Sequence, residues 1–450
     1  MTGTRESIET QLNDLDPKKR KNALDMLCDM AAKGAIVFPE PGNAVNLHCH
    51  TSFSYNGYGY SPSFIPWRAR CEGLLAVGCV DFDVLDAVDE FLAACRTLGI
   101  RGCAGLETRV FIPSFATREI NSPGEPGIAY YMGVGYVSST PTDHTLLGEL
   151  KAMAQQRNRG IMERVNAYLG AVSLDYDRDV APLTPKGNAT ERHLCMAYDA
   201  KSREVFPDAD RRAAFWAEKL GVEAMSLKTS FADPPTFQGV IRAKTMKAGG
   251  PGYVKPEGPD FPSLERVSAF ALDMGAIPTY AWLDGTTPGE QDIEALLGVA
   301  EAHGAAALNI IPDRNWNIKD PVRKRTRVDN LYAIVELAQK KGLPIVAGTE
   351  MNAYGQRFVD DFDAPELRPL TPLFLEGAHL FYAHTILQAR AGMGYLSDWA
   401  RKSFASAREK NAFFQHIGEV VGPTHLDLLK GITPAMTPKE IQTLGCQKRM

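Results

Sequence analysis

No stretch of this chain approaches the roughly 20 apolar residues of a membrane span. Its opening, Met1-Thr2-Gly3-Thr4-Arg5-Glu6-Ser7, lacks the apolar core that a secretory signal needs. There is no internal repeat and no low-complexity tract, which sets aside repeat architectures. Excess charge is also missing. Forty-nine basic residues against 54 acidic ones give a formal net charge of -5, so neither nucleic acid nor an anionic membrane is expected as a main partner. Cysteine is sparse: eight residues, at 28, 49, 71, 79, 95, 103, 195 and 446, none closely paired. Cys79 and Cys103 sit inside apolar runs and read as buried thiols, which implies a reducing cytoplasm. No phosphate-cradling glycine loop, Ser-His-Asp order or Cys-x-x-Cys pair is present.

What is present is a globular composition, 44% hydrophobic and 23% charged over 450 residues. That length suits one large α/β domain with additions, or two or three ordinary domains. Residues 5–34 read as two polar-faced helices, with Asp16-Pro17 opening the second. A Pro/Gly break, Pro39-Glu40-Pro41-Gly42, follows. Helices are expected at 63–73 and 84–98, the latter stopped by Gly99, and strands at 74–80 and 100–106. The rhythm resumes with helices at 264–274, 290–303 and 328–341 and strands at 276–282, 305–311 and 343–349. A helical stretch fills 137–262, and a last long helix is expected at 397–419. Alternating strands and helices predict parallel strands joined by right-handed crossovers. In parallel barrels the chemistry sits at the C-terminal ends of the strands. The residues that follow each apolar run are therefore His48, His50, Asp81, Glu107, Trp282, Asn309, Glu350 and Asn352.

The most informative of these is His48-Cys49-His50. It ends the apolar run Ala44-Val45-Asn46-Leu47, and a turn-rich stretch follows. Residues i and i+2 of a strand share a face, so both imidazoles project together where a loop begins. Two imidazoles on one strand can serve one zinc, iron or manganese ion. Alone, the motif is equally well read as two surface histidines.

Around it, residues 46–107 resemble the polymerase and histidinol phosphatase (PHP) superfamily of metal-dependent phosphoesterases. The resemblance rests on His48-Cys49-His50-Thr51-Ser52-Phe53-Ser54, with Gly57 and Ser61-Pro62, on Val80-Asp81-Phe82-Asp83 after a buried strand, and on Gly105-Leu106-Glu107. It continues more weakly to about residue 362. It implies a distorted seven-stranded β/α barrel over 41–362 with a helical insertion around 137–262. A helical arm over 1–40 and a helical extension over 363–450 would flank the barrel. The later motifs appear as Tyr130-Tyr131-Met132-Gly133, Arg192-His193-Leu194-Cys195, Ala281-Trp282-Leu283-Asp284 and Glu350-Met351-Asn352. Phe82, Tyr130 and Trp282 thus stand where the family has histidines, and Tyr55 where it has an acid. The resemblance places His48, His50, Glu107 and Glu350 as ligands of one divalent ion (zinc, manganese or iron) where family members hold up to three.

On that basis the expected activity is metal-dependent hydrolysis of a small anionic substrate, a phosphate ester first. Glu107, His193 and Arg192 are the expected catalytic groups. Tyr55, Phe82, Tyr130, Trp282, Arg314, Asn352 and Arg357 are expected around the substrate. Arginine forks bind phosphate and carboxylate bidentately, though a loop arginine is more often a solvated charge. Loss of the paired-metal sites leaves two alternatives: hydrolysis of an amide or lactone by a single ion, or a non-catalytic barrel that binds a small ligand. Asp360-Asp361 is expected to cap the next helix, and His379 and His384 to be structural.

Overall fold

The protein is described here by a computed structural model covering residues 4–255 and 257–446; the outermost residues of the expected arm and extension lie outside that range. The chain opens with α1 (Arg5–Gln11) and α2 (Pro17–Ala32). Asp16 caps α2 as its sequence suggests, accepting from Lys18 N with Pro17 at the first helical position. Arg20 of α2 is almost fully buried. Its guanidinium makes two bonds to Glu90, 2.7 and 2.5 Å, and two to the carbonyls of Asp14 and Leu15, which pins the arm to the body.

Seven strands follow: β1 (Val45–Cys49), β2 (Ala76–Phe82), β3 (Arg101–Phe111), β4 (Ile128–Val134), β5 (Ile277–Trp282), β6 (Ala307–Ile310) and β7 (Ile345–Ala347). Their spatial order is their chain order, and they form a nearly closed barrel. The circle is joined by Glu350 N donating to His48 O and His50 N donating to Glu350 O, both at 2.7 Å. Helices α3 (Phe64–Cys71), α4 (Val88–Leu98), α10 (Leu264–Asp273), α11 (Ile293–Ala302) and α13 (Pro321–Lys341) connect the strands. Gly99 ends α4 at φ 66°, a conformation that costs glycine little.

The all-parallel expectation fails at β4, which runs antiparallel to both β3 and β5. Most of β4 is buried, so Ile128 to Val134 shows no clean alternation of apolar and polar residues. It is reached from β3 through a loop without an α-helix, and such a connection returns antiparallel. β1 carries a second irregularity. Between Asn46 and Cys49 it advances one residue more than β2, a bulge that presses Leu47 onto Gly78. A Cβ at Gly78 would lie 2.3 Å from Leu47 O, so no larger residue fits there.

Between β4 and α10 stand α5 (Thr145–Leu169), α6 (Glu191–Val205), α7 (Ala209–Leu220), α8 (Ala224–Ser230) and α9 (Pro234–Thr245). They build their own apolar core around Val165, Leu194, Tyr198, Trp216 and Phe237, separate from that of the barrel. After β6 comes the short α12 (Asp313–Trp316), and the C-terminal part holds α14 (Thr371–Ala391), α15 (Asp398–Ser403), α16 (Ala407–Val420) and α17 (Pro438–Gly445). The single helix expected at 397–419 is broken at 404–406, where Ser406 caps a new start. α14 lies against the end of the barrel where the parallel strands begin. Gly377 packs on Ile345, and buried His384 bonds to Gly135 O at 3.1 Å and takes Tyr395 N at 2.9 Å. The opposite end, where β1, β2 and β7 finish, is left as the mouth. All eight cysteines are free, and among the described residues no helix is long and apolar enough to cross a membrane.

Candidate metal centre

Three of the four expected ligands converge at the mouth. His48 leaves the end of β1, His50 follows it, and Glu107 stands in β3 opposite Phe82. All three side chains are buried. His48 Nε2 and His50 Nε2 lie 3.4 Å apart, and Glu107 Oε2 lies 3.5 and 3.2 Å from them. Donors held about 2.1 Å from a tetrahedral ion sit about 3.4 Å from one another. The observed triangle has that size.

The hydrogen bonds behind the rings set the tautomers. His48 Nδ1 faces Asn309 Oδ1 at 3.1 Å and donates to it. His50 Nδ1 faces Ser54 Oγ at 3.1 Å; that hydroxyl donates onward to Asp81 Oδ1 at 2.6 Å and so accepts from the ring. Asp81 also takes Thr51 N and Thr51 Oγ1 at 2.8 and 2.6 Å, which fixes the whole loop start. With protons on both Nδ1 atoms, both Nε2 lone pairs turn toward one point beside a carboxylate oxygen. That arrangement is relieved by a metal ion at the point or by a proton shared with Glu107, and oriented imidazoles are a recurring feature of metal sites. Donor type, number and spacing therefore fit a first-row divalent ion with at least one open position. Burial opposes charge on His48, but Glu107 and Glu350 raise its pKa overall. Burial likewise opposes charge on Glu107, yet the two histidines hold its carboxyl down to about 2.

Glu350 does not join the three. It stands just after β7 with φ 63°, and its carboxylate is paired with the Arg314 guanidinium and touched by Gln356 Nε2 at 3.3 Å. Of the four expected ligands, His48, His50 and Glu107 lie together, and Glu350 stands apart on Arg314. The reason is local: the left-handed turn at 350–351 carries the side chain toward α12, where Arg314 waits.

A cavity of about 480 Å³ opens over this centre, walled on one side by the barrel and on the other by α5 and α6. Tyr55, Phe82, Tyr130, Trp282, Arg192, Arg314 and Asn352 all line it. The Phe82 ring lies 4.2 Å from that of His50, centroid to centroid, and 6.2 Å from that of Tyr130. Four expected residues are not among its lining: the fully buried His48 and His50, which reach it only through Glu107, and His193 and Arg357. His193 sits behind Tyr55, with ring centroids 5.2 Å apart, and its Nδ1 accepts from Thr190 N to close the capping box of α6. Burial depresses its pKa to about 4, so it is neutral near pH 7. Arg357 lies on the outer surface, over the Trp316 ring and 4.0 Å from Asp313. Asp360 is no helix cap either. It accepts from Trp316 Nε1 at 2.7 Å, while the next helix, α14, starts at Thr371.

Two contributors carry a sequence signal: Ser54 belongs to the Thr51-x-x-Ser54 motif, and Asn309 is the polar residue within the apolar run at 305–311. Arg109, Arg157, Arg242 and Lys247 also face the cavity. A basic residue on an amphipathic helix is solvated by default, so nothing in the sequence marks Arg157 or Arg242.

No family model and no curated protein sequence matches the chain. Solved structures similar to it include an amidohydrolase from Chromobacterium violaceum with bound sulfate and no metal. The match has a TM-score of 0.47 and 17% identity, over 73% of this chain and 96% of that one. A proposed metal-dependent phosphoesterase from Bifidobacterium adolescentis is similar at TM-score 0.45 and 17% identity, over 74% of this chain and 98% of that one.

Proposed function

We propose that this protein is a metal-dependent hydrolase of a small anionic substrate, with a phosphate ester as first substrate class. The observation that carries this reading is the triangle of His48 Nε2, His50 Nε2 and Glu107 Oε2, with its 3.2 to 3.5 Å edges and preset tautomers. His48, His50 and Glu107 would hold a divalent ion, which would supply Lewis acidity and a water of lowered pKa.

The chain's own residues supply the rest. Arg314 faces the cavity beside Glu350, and its Nε is buried without a partner among the described residues. It is placed to offset charge on the group under attack, a role a second ion plays in paired-metal sites. Glu107, held ionised, is a ligand rather than a proton donor. Tyr130 lines the cavity near Glu107, and burial keeps its phenol protonated, so it can donate a hydrogen bond to the leaving group. Neutral His193, behind Tyr55, orients α6 rather than touching substrate.

A second reading is supported by the Phe82 ring against His50. Phenyl fills space in which a further ligand would be needed to hold a pair of ions. A single ion suits hydrolysis of an amide or lactone equally well. The experiment is a screen of phosphomonoesters, phosphodiesters, amides and lactones with manganese or zinc supplied, using wild type, His48→Ala and Glu107→Gln. Phosphate release that vanishes in both variants supports the first reading. Carbonyl turnover with the same dependence replaces it by the second. No turnover in any class would leave a non-catalytic ligand-binding barrel.

A further inference from the structure

Six basic side chains face the cavity, and four of them have carboxylate partners. Arg109 donates to Glu125 at 2.6 Å, Arg242 and Lys247 lie 2.9 and 2.7 Å from Glu191, and Arg314 pairs with Glu350. Arg157 and Arg192 have none. Neither guanidinium makes a hydrogen bond or ion pair among the described residues; that of Arg192 only overlies the Tyr55 ring, 6.0 Å from its centroid. Both belong to the helical insertion, Arg157 on α5 and Arg192 in the first turn of α6. Arg157 is exposed on the cavity side and Arg192 half-buried; Asp83, Glu191 and Glu125 for the first, and Glu191 for the second, offset their charge only from a distance, while Arg109 and Arg242 oppose it. Guanidinium does not discharge in proteins. Two guanidiniums without a direct partner on the wall of one cavity, beside other arginines, are open to an anion.

The metal ligands are on the barrel, and these two arginines are on the insertion that walls the other side. Phe82 packs on His50, and Tyr55 lies under Arg192, so aromatic faces border both ends. We propose that Arg157 and Arg192 form a separate oxyanion-binding subsite, a seat for a phosphate or carboxylate group that is not the one cleaved. The substrate is then a small molecule with two acidic ends and an apolar or unsaturated middle. One end reacts at the barrel, and the other is anchored by the insertion. This rests on the hydrolase reading for the direction in which the substrate lies. The subsite itself does not require a metal.

That independence supplies the test. Inorganic phosphate, and separately succinate, are titrated calorimetrically at low ionic strength into metal-free full-length protein. The proteins are wild type, His50→Ala, Arg157→Gln/Arg192→Gln and Arg192→Lys, with thermal unfolding as the folding control. Wild type and His50→Ala should bind one of the two anions alike. The double variant should bind it at least tenfold more weakly while still taking up metal, and Arg192→Lys should fall between. The relative strength of phosphate and succinate identifies the group the subsite takes. No binding of either anion to folded wild type, or binding that the double variant keeps, overturns the proposal. If His50→Ala loses anion binding and the double variant does not, the anion sits at the barrel centre instead. Metal uptake is read in the same samples, so failure of the metal reading appears separately.

Discussion

Replacing Ser54 by alanine tests how the site is held. Ser54 is fully buried and has one hydroxyl between two partners: it accepts from His50 Nδ1 at 3.1 Å and donates to Asp81 at 2.6 Å. Asp81 keeps two other donors, Thr51 N and Thr51 Oγ1. The cost therefore falls on His50, whose Nδ1–H is left buried without an acceptor. An unsatisfied buried donor costs about 1–3 kcal/mol. The ring can escape part of that by moving its proton to Nε2, which removes the lone pair from the metal triangle. Loss of a partner behind a ligating histidine weakens metal binding about 10–100-fold, which at about 1.4 kcal/mol per tenfold is the same range. Competition with a chromophoric chelator should show that weakening for Ser54→Ala, with metal still bound at saturation. A variant that loses stability in urea but keeps wild-type metal affinity would refute the reasoning, because His50 would then not be a ligand.

Other consequences follow from the same geometry. Arg314→Gln should leave metal content unchanged and lower kcat/KM about 100- to 1,000-fold, the usual cost of removing one charge-stabilising donor; steady-state kinetics beside elemental analysis decides it. Glu290 is buried, and that burial raises its carboxyl to about 7 even though it accepts from the backbone of Leu283, Asp284 and Gly285. Because the folded state holds this proton more tightly than the unfolded chain, stability should be highest below about pH 4.5 as far as Glu290 decides it. It should fall as pH rises toward 7, by about 3 kcal/mol for a shift of this size. Urea titrations of wild type and Glu290→Gln across pH 5–8 should show that slope only in wild type. Arg20→Ala strands Glu90 and two carbonyls at the root of the arm and should cost about 2 kcal/mol, less than for a fully buried pair because Glu90 is partly exposed. Limited proteolysis within 5–32 should accelerate in that variant.

Much of the barrel could be read because its parallel strands are short buried runs, each followed by a helix with a start or stop signal. Gly99 and Asp16-Pro17 act as the sequence suggests. β4 could not be read that way, since mostly buried Ile128–Val134 has no alternation and its reversal depends on the loop before it. The histidine pair and Glu107 are legible because two kinds of ligand, imidazole and carboxylate, end two apolar stretches. The side-chain direction of Glu350 depends on a left-handed turn and on Arg314, thirty-six positions earlier, neither of which a motif encodes. His193, the third residue of α6, serves the backbone of Thr190, which its motif does not encode either. The arginines of the insertion carry no pattern at all, and only their convergence on one cavity gives them meaning.

The most direct test of the central claim is elemental analysis of the purified full-length chain after dialysis against zinc, manganese and iron(II) in turn. The account predicts about one equivalent of a divalent ion per chain, lost in His48→Ala, His50→Ala and Glu107→Gln and kept in Glu350→Gln, as the ligand set of three implies. A folded wild-type protein that takes up no metal, or one whose metal survives all three ligand substitutions, would contradict it.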